Sequence, residues 1–328
     1  MNVLIHYFSG TGNARRAAQL LASWYERDGD FPMLHNIEDG PLDTSADLHI
    51  FLNPVYAMGL PHIMQRFLHR TPKVEGEKAA VIVIYGEISA KHTIPGHSGY
   101  SYWKAEQILR GRGYDVVWTD GIGYPENLTA VGNPPTAEDI AIINREGDAR
   151  LKEIYTGLRK GKRHLMQPKP WVFWVSIPFE AMFQNMGRRV IGQAWAANCA
   201  CTGCGFCAKI CPAQTIRIRH GRPEWGLSCE GCMRCINECP QKSIQLSLVR
   251  AAVTLLPLGA LAGLLSPFSK RRNRAFHELW KGLGGIILTL IVWKLLTRLG
   301  RVPKWGRLTR INYTHKLRRY RAEPIIHE

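Results

Sequence analysis

All nine cysteines of the 328-residue sequence fall between Cys199 and Cys239. Eight of them repeat one pattern: Cys201-x2-Cys204-x2-Cys207-x3-Cys211-Pro212, then Cys229-x2-Cys232-x2-Cys235-x3-Cys239-Pro240. Three thiolates at this spacing curl the backbone around one corner of a cuboid iron–sulfur cluster. A fourth, followed by proline, points away and reaches the neighbouring cluster. The pattern therefore predicts two 4Fe-4S clusters, one on Cys201, Cys204, Cys207 and Cys239, the other on Cys229, Cys232, Cys235 and Cys211. Two zinc sites would instead show paired C-x2-C half-sites separated by a longer loop. A disulfide framework needs a secreted context, and the start Met1-Asn2-Val3-Leu4-Ile5 does not read as a signal peptide. Thiolates kept for metal imply a reducing compartment, and the expected location is cytoplasmic. Cys199 is left over and is expected to be a partly buried free thiol.

The flanks repeat as well, Ala213-Gln214-Thr215-Ile216 after one proline and Gln241-Lys242-Ser243-Ile244 after the other. Residues 199–248 thus resemble a bacterial-type bicluster ferredoxin.

A second chemistry is encoded near the start. Residues 2–8 form a β-rich run that ends in Ser9-Gly10-Thr11-Gly12-Asn13-Ala14 and then a helical pattern. Glycines allow close approach of the backbone, hydroxyls donate, and free amides at a helix start favour an anion. The loop lacks the Gly-Lys-Ser/Thr of a nucleotide-hydrolysing P-loop and the third glycine of a dinucleotide fingerprint. Its length suits a single terminal phosphate. Two later loops join it: Asn53-Pro54-Val55-Tyr56-Ala57-Met58-Gly59-Leu60-Pro61, and Tyr85-Gly86-Glu87 with the glycine-rich Pro95-Gly96-His97-Ser98-Gly99-Tyr100 beyond.

Together these loops resemble those of flavodoxin, over about residues 1–160. The resemblance implies that Ser9, Thr11, Gly12, Asn13 and Ala14 hold the phosphate of flavin mononucleotide (FMN). It implies that Tyr56 stacks on the isoalloxazine, that the backbones of Val55, Tyr56, Ala57, Met58 and Gly59 and of Gly86 and Glu87 line its edges, and that Tyr100 is a second aromatic. Ala14 stands where that pattern commonly has a hydroxyl. His6, His35 and His49 lie in or beside strands and are expected to be structural, and no nucleophile–base pair is evident.

The elements that must position these loops follow from periodicity. Strands are expected at 2–8, 31–37, 47–53, 79–85 and 114–118, with helical patterns near 60–70, 100–112 and 136–160. This alternation predicts an α/β domain, a flavodoxin-like doubly wound parallel sheet with ligands at the carboxyl ends of its strands. The expected organisation is a flavodoxin-like FMN domain over 1–160, then a linker and amphipathic aromatic helix over 161–198. An α+β bicluster ferredoxin domain over 199–248 and a helical, basic and hydrophobic C-terminal region over 249–328 complete it. In the aromatic helix, Phe179, Met182, Phe183, Met186 and Val190 share one face, expected to pack on a redox domain.

Charge divides the chain. Residues 1–160 carry 16 Lys and Arg against 19 Asp and Glu, whereas residues 161–328 carry 27 against 7, and the whole is +17. Such a basic half suits an acidic protein partner, anionic lipid or nucleic acid. Apolar runs at 251–265 and 282–296 are each too short to cross a bilayer, and basic residues surround them. Helices lying in the interface on the cytoplasmic side are the expected form. Nucleic acid is disfavoured, because no recognition motif accompanies the basic residues.

The sequence as a whole resembles the flavodoxin-domain ferredoxins, in which one chain joins both modules. That resemblance implies electron transfer between clusters and flavin, and so between one- and two-electron partners. A flavin oxidoreductase acting on a quinone or another small acceptor is the alternative, and a zinc-bearing nucleic-acid binder a remote one. A redox protein, an anionic membrane surface or a membrane redox complex is the expected partner.

Overall fold

The computed structural model describes residues 1–90, 98–167, 169–252 and 317–322. The expectations for residues 95–97, for both apolar runs beyond residue 252 and for the basic segments around them, apart from residues 317–322, lie outside the described residues. The chain divides into two compact units, one of residues 1–129, 133–185 and 318–328, the other of residues 130–132 and 186–317.

In the first unit strands alternate with helices: β1 (Asn2–Tyr7), α1 (Asn13–Arg27), β2 (Phe31–Asn36), β3 (Leu48–Pro54), α2 (His62–Leu68), β4 (Lys78–Glu87), α3 (Ser101–Gly111), β5 (Asp115–Pro125), α4 (Ala137–Arg159) and β6 (His164–Leu165). The strands form one sheet in the order β2-β1-β3-β4-β5-β6, and every neighbouring pair is parallel. This is the flavodoxin-like doubly wound order, extended at one edge by β6. Strands covered on both faces read as unbroken apolar runs, and β3 and β4 do so, burying Ile50, Phe51, Leu52 and Ala79–Ile84. One face packs Ala17, Ala18, Leu21 and Tyr25 of α1 with Leu151, Ile154 and Tyr155 of α4. Thr136 caps α4 by accepting from the Asp139 amide at 3.1 Å.

The three strand histidines form a buried chain across the sheet. His6 Nδ1 lies 2.9 Å from His35 Nδ1, His6 Nε2 lies 3.2 Å from His49 Nδ1, and His49 Nε2 lies 2.7 Å from Glu77 Oε2. Each nitrogen meets a different partner, so the rings do not converge on one ion. Burial holds all three below the ordinary histidine range.

The region read as a linker is structured. β6 joins the sheet, and α5 (Pro170–Met182) packs within the first unit, beginning with Pro170 in its first turn. Its orientation differs from the expected one. The helix buries Val172, Ser176 and Glu180, while Trp171, Trp174, Val175, Phe179 and Met182 are exposed. The cause is Glu180, whose carboxylate accepts from Gln65 Nε2, Tyr100 Oη and Lys104 Nζ, each at 2.8 Å. Three donors fix the polar stripe inward, and the apolar side chains are turned out.

The second unit holds α6 (Arg188–Ala194), β7 (Trp195–Ala197), α7 (Phe206–Lys209), β8 (Ile216–Arg219), β9 (Arg222–Trp225), α8 (Arg234–Asn237) and β10 (Ile244–Leu246). β8 and β9 form an antiparallel hairpin, and β7 pairs antiparallel with β10. It is a small α+β fold around the cysteines.

Candidate functional site

The cysteine repeat is written into the backbone. Left-handed residues recur 28 positions apart at Gly203 and Gly231, Gly205 and Met233, and Gln214 and Lys242. The first two pairs lie within each C-x2-C-x2-C curl, and the third follows each Cys-Pro. A left-handed residue in each curl turns successive sulfurs toward a common centre. Gly205 and Met233 then open the single-turn helices α7 and α8. Met233 adopts this conformation with φ 59° without being glycine, a local strain between Cys232 and Cys235.

Cys207 lies within electrostatic reach of Cys239, Cys201 and Cys204, and Cys235 within reach of Cys232, Cys229 and Cys211. Burial pushes the Cys207 and Cys229 thiols up to about 11 and Cys232 up to about 12, and lifts Cys235 well above the ordinary thiol range. Cys239 is only half-buried; burial pushes its thiol up, yet it is held below that range because Ser243 Oγ and the amides of Gln241, Ser243 and Ile244 face its sulfur. Buried sulfurs must be compensated by positive charge to stay thiolate, which is what iron ligation supplies. The donor set therefore fits the clusters. Among the described residues no three His, Cys, Asp or Glu converge on a single ion; sulfurs set around a cuboid stand further apart than that. Cys199 is exposed, more open than expected, because it precedes the curl and follows β7.

α6 supports the second set. A Cβ on Gly192 would stand 2.5 Å from Cys229 Cβ, so glycine lets the helix backbone lie directly against this ligand. Buried Arg188 donates from Nη1 to the Cys229 carbonyl at 3.1 Å and sits 4.0 Å from Glu230 Oε1. Sequence reading passed over both residues, which precede the first cysteine.

In the first unit the predicted loops meet at the carboxyl ends of the strands. A crevice is lined by Ser9, Gly10, Thr11, Asn13 and Ala14, by Pro54, Val55 and Tyr56, by Ile84, Tyr85 and Gly86, and by Pro125, Glu126 and Asn127. Gly12 precedes α1 with φ 110°, and its amide donates to Ser9 Oγ at 3.1 Å. Residues 56–59 close a tight hairpin, in which Tyr56 N–H donates to Gly59 O and Gly59 N–H to Tyr56 O, both at 3.0 Å. Its tip, Ala57 and Met58, has φ 50° and 61°. Such turns favour glycine or asparagine, so two ordinary residues held there mark a strained loop beside the crevice.

Some predicted residues point elsewhere. Ala57, Met58 and Gly59 shape the hairpin without lining the crevice. Tyr100 is buried against Phe173 with its hydroxyl on Glu180. The Glu87 side chain faces a separate cavity of about 230 Å³, with Tyr85, Glu146 and Arg150, where burial, then Glu146, raises its carboxyl to about 7. Glu126 and Asn127 were missed. A Cβ on Gly86 would meet Glu126 Oε2 at 2.3 Å, and Asn127 Nδ2 donates to Thr11 Oγ1. The rule that ligands gather at all carboxyl strand ends, applied to β5 as to β1, β3 and β4, points to them.

The crevice fits the ends of FMN in part. A glycine- and hydroxyl-lined helix start suits its phosphate, and Tyr56 offers an aromatic wall. With a volume of about 40 Å³, the crevice is too small to enclose a ring system.

Residues 200–244 match the family model of the 4Fe-4S dicluster domain, which implies two clusters. In structure, the chain is similar to Flavodoxin 1 from Bacillus cereus, with 19% identity over 47% of this chain and 98% of that one and a TM-score of 0.33. It is likewise similar to Megasphaera elsdenii flavodoxin (21%, 46% and 98%, 0.30) and to an archaeal flavodoxin (15%, 47% and 99%, 0.29). The fold assignment rests on strand order and register. No curated protein matches. The chain joins a flavodoxin-like unit to a 4Fe-4S dicluster domain, a combination that suggests electron transfer.

Proposed function

We propose that this protein relays electrons between its two 4Fe-4S clusters and an FMN held at the flavodoxin-like crevice, and so connects one-electron with two-electron partners. The observation that carries the reading is the joining, in one chain, of a region matching a 4Fe-4S dicluster domain over residues 200–244 to a unit with the flavodoxin-like strand order. The strained hairpin at Ala57–Met58 and the anion-suited loop at Ser9–Ala14 support the flavin. When bound, FMN supplies chemistry that accepts or gives one or two electrons. The chain's own contribution is to place and tune. Tyr56 presents an aromatic face, Val55 and Gly86 bring backbone groups to the crevice, and the α1 amides hold the phosphate. Around the clusters, burial and the amide donors at Cys239 govern how readily charge is taken up. Anaerobic purification with iron, sulfide and flavin analysis tests the reading. About eight irons per chain and one FMN are expected. Zinc in place of iron would overturn the cluster assignment, and iron without flavin binding would overturn the relay.

A second reading, a flavin oxidoreductase acting on a quinone at the membrane surface, is favoured by one observation. α5 exposes Trp171, Trp174, Val175, Phe179 and Met182, and the exposed Lys169 immediately precedes it. Exposed tryptophan with a nearby cation suits an anionic interface. Among the described residues no helix is long and apolar enough to cross a membrane. Flotation with anionic vesicles checks the docking: Trp171→Ser with Trp174→Ser should abolish it, and equal flotation of both proteins removes the support.

A further inference from the structure

The flavodoxin-like unit is not built from the front of the chain alone, because Arg318–Ala322 returns to it. The contacts fall on three consecutive residues of the phosphate loop. Ala322 N–H donates to Thr11 O at 3.0 Å. Ala322 Cβ occupies the space beside Gly12, where an added Cβ would approach it to 2.9 Å. Tyr320, 4% exposed, donates its hydroxyl to Asn13 Oδ1 at 2.6 Å. Asn13 passes the link on, with Nδ2 donating to the Pro125 carbonyl at 2.9 Å. The segment is anchored at its other end: the Arg318 amide donates to Asn133 Oδ1 at 2.8 Å, and its Nη2 to the carbonyls of Pro134 and Pro135 at 2.8 and 3.1 Å.

We propose that Arg318–Ala322 is an integral buttress behind the phosphate loop, which fixes Thr11, Gly12 and Asn13 so that the first amides of α1 stay aimed at the phosphate monoester of FMN. The inference rests on the FMN reading above. The first amides of a helix have no partner within it and suit an anion. A loop with glycines at 10 and 12 is nevertheless costly to order, and binding is tighter where that ordering precedes the ligand. The segment supplies it, one contact to each of residues 11, 12 and 13. Tyr320 is thus a positioning residue, acting through Asn13 without touching the ligand.

The test is a pair of fluorescence titrations of the full chain, with FMN and with riboflavin, which lacks the phosphate. Tyr320→Phe keeps the buried ring and deletes the hydroxyl. A stop after Leu317 removes the segment, and near-UV circular dichroism reports whether that variant is folded. The FMN Kd should rise about five- to tenfold in Tyr320→Phe and further in the truncation, with the riboflavin Kd unchanged. Equal weakening of both flavins would assign the segment a merely structural role, and unchanged FMN affinity in Tyr320→Phe would overturn the proposal. If the unaltered chain binds neither flavin, the FMN reading itself fails and takes this inference with it.

Discussion

Glu180 accepts a hydrogen bond from the Tyr100 hydroxyl at 2.8 Å across 80 residues of sequence, and this contact turns α5 over. The same carboxylate holds Lys104 and Gln65, and the side chain's methylenes lie so close to Gly59 that a Cβ there would stand 1.9 Å from Glu180 Cγ. Glu180→Ala strands a cation and two donors in a buried place. It should destabilise the flavodoxin-like unit by about 3–5 kcal/mol. Urea unfolding measures it, and Glu180→Gln, which keeps an acceptor, should lose clearly less. Equal losses would show that packing outweighs charge.

The interleaved ligand sets predict which cysteine variants share a phenotype. Cys239→Ala should remove the same cluster as Cys201→Ala, and Cys211→Ala the same one as Cys229→Ala, each leaving about four irons of about eight. The residual electron paramagnetic resonance spectra of the reduced proteins should match within each pair and differ between pairs. Matching of Cys239→Ala with Cys229→Ala would reverse the assignment.

Glu126 places a carboxylate against Gly86 at the crevice, where an anionic ligand would meet a like charge. Glu126→Ala should tighten FMN binding by about three- to tenfold, the range of one partly screened contact. Weaker binding would instead make the carboxylate part of the site, read directly as the Kd from flavin fluorescence.

The histidine chain predicts a pH response with a definite sign. Burial keeps His6, His35 and His49 neutral in the folded state, with Glu77 and Asp39 as the acidic groups facing the chain. An unfolded histidine takes up its proton near pH 6.5. Below that pH the unfolded chain binds more protons, so stability present in full above about 6.5 falls as pH drops toward the folded values. His6→Phe, though less stable at neutral pH, should show a shallower decline of Tm between about pH 7 and 5. An unchanged slope would locate the titration in other groups.

Local pattern made much of this molecule legible. The dicluster domain follows from the cysteine spacing, and the sheet follows from apolar runs punctuated by Gly12, Asn53 and Gly86, because period and turn chemistry are local properties. α5 was readable as a helix but not in its facing. Phe179 and Met182 look like part of a packing stripe until Tyr100 and Lys104, some 80 residues earlier, claim Glu180. Tyr100 itself lies in the right loop, yet its hydroxyl has a stronger partner than the crevice. The contacts of Tyr320 with Asn13 span 307 residues, and no window along the sequence contains both.

That last contact orders events in time. The loop at residues 9–14 leaves the ribosome early, and domains fold as units from the N-terminus during synthesis. Thr11, Gly12 and Asn13 nevertheless wait for Arg318–Ala322, which is translated only after all eight cluster cysteines. A nascent chain interrupted before residue 318 carries the sheet and the cysteines but an unfinished loop, so loop completion reports that the iron-binding part has already been made.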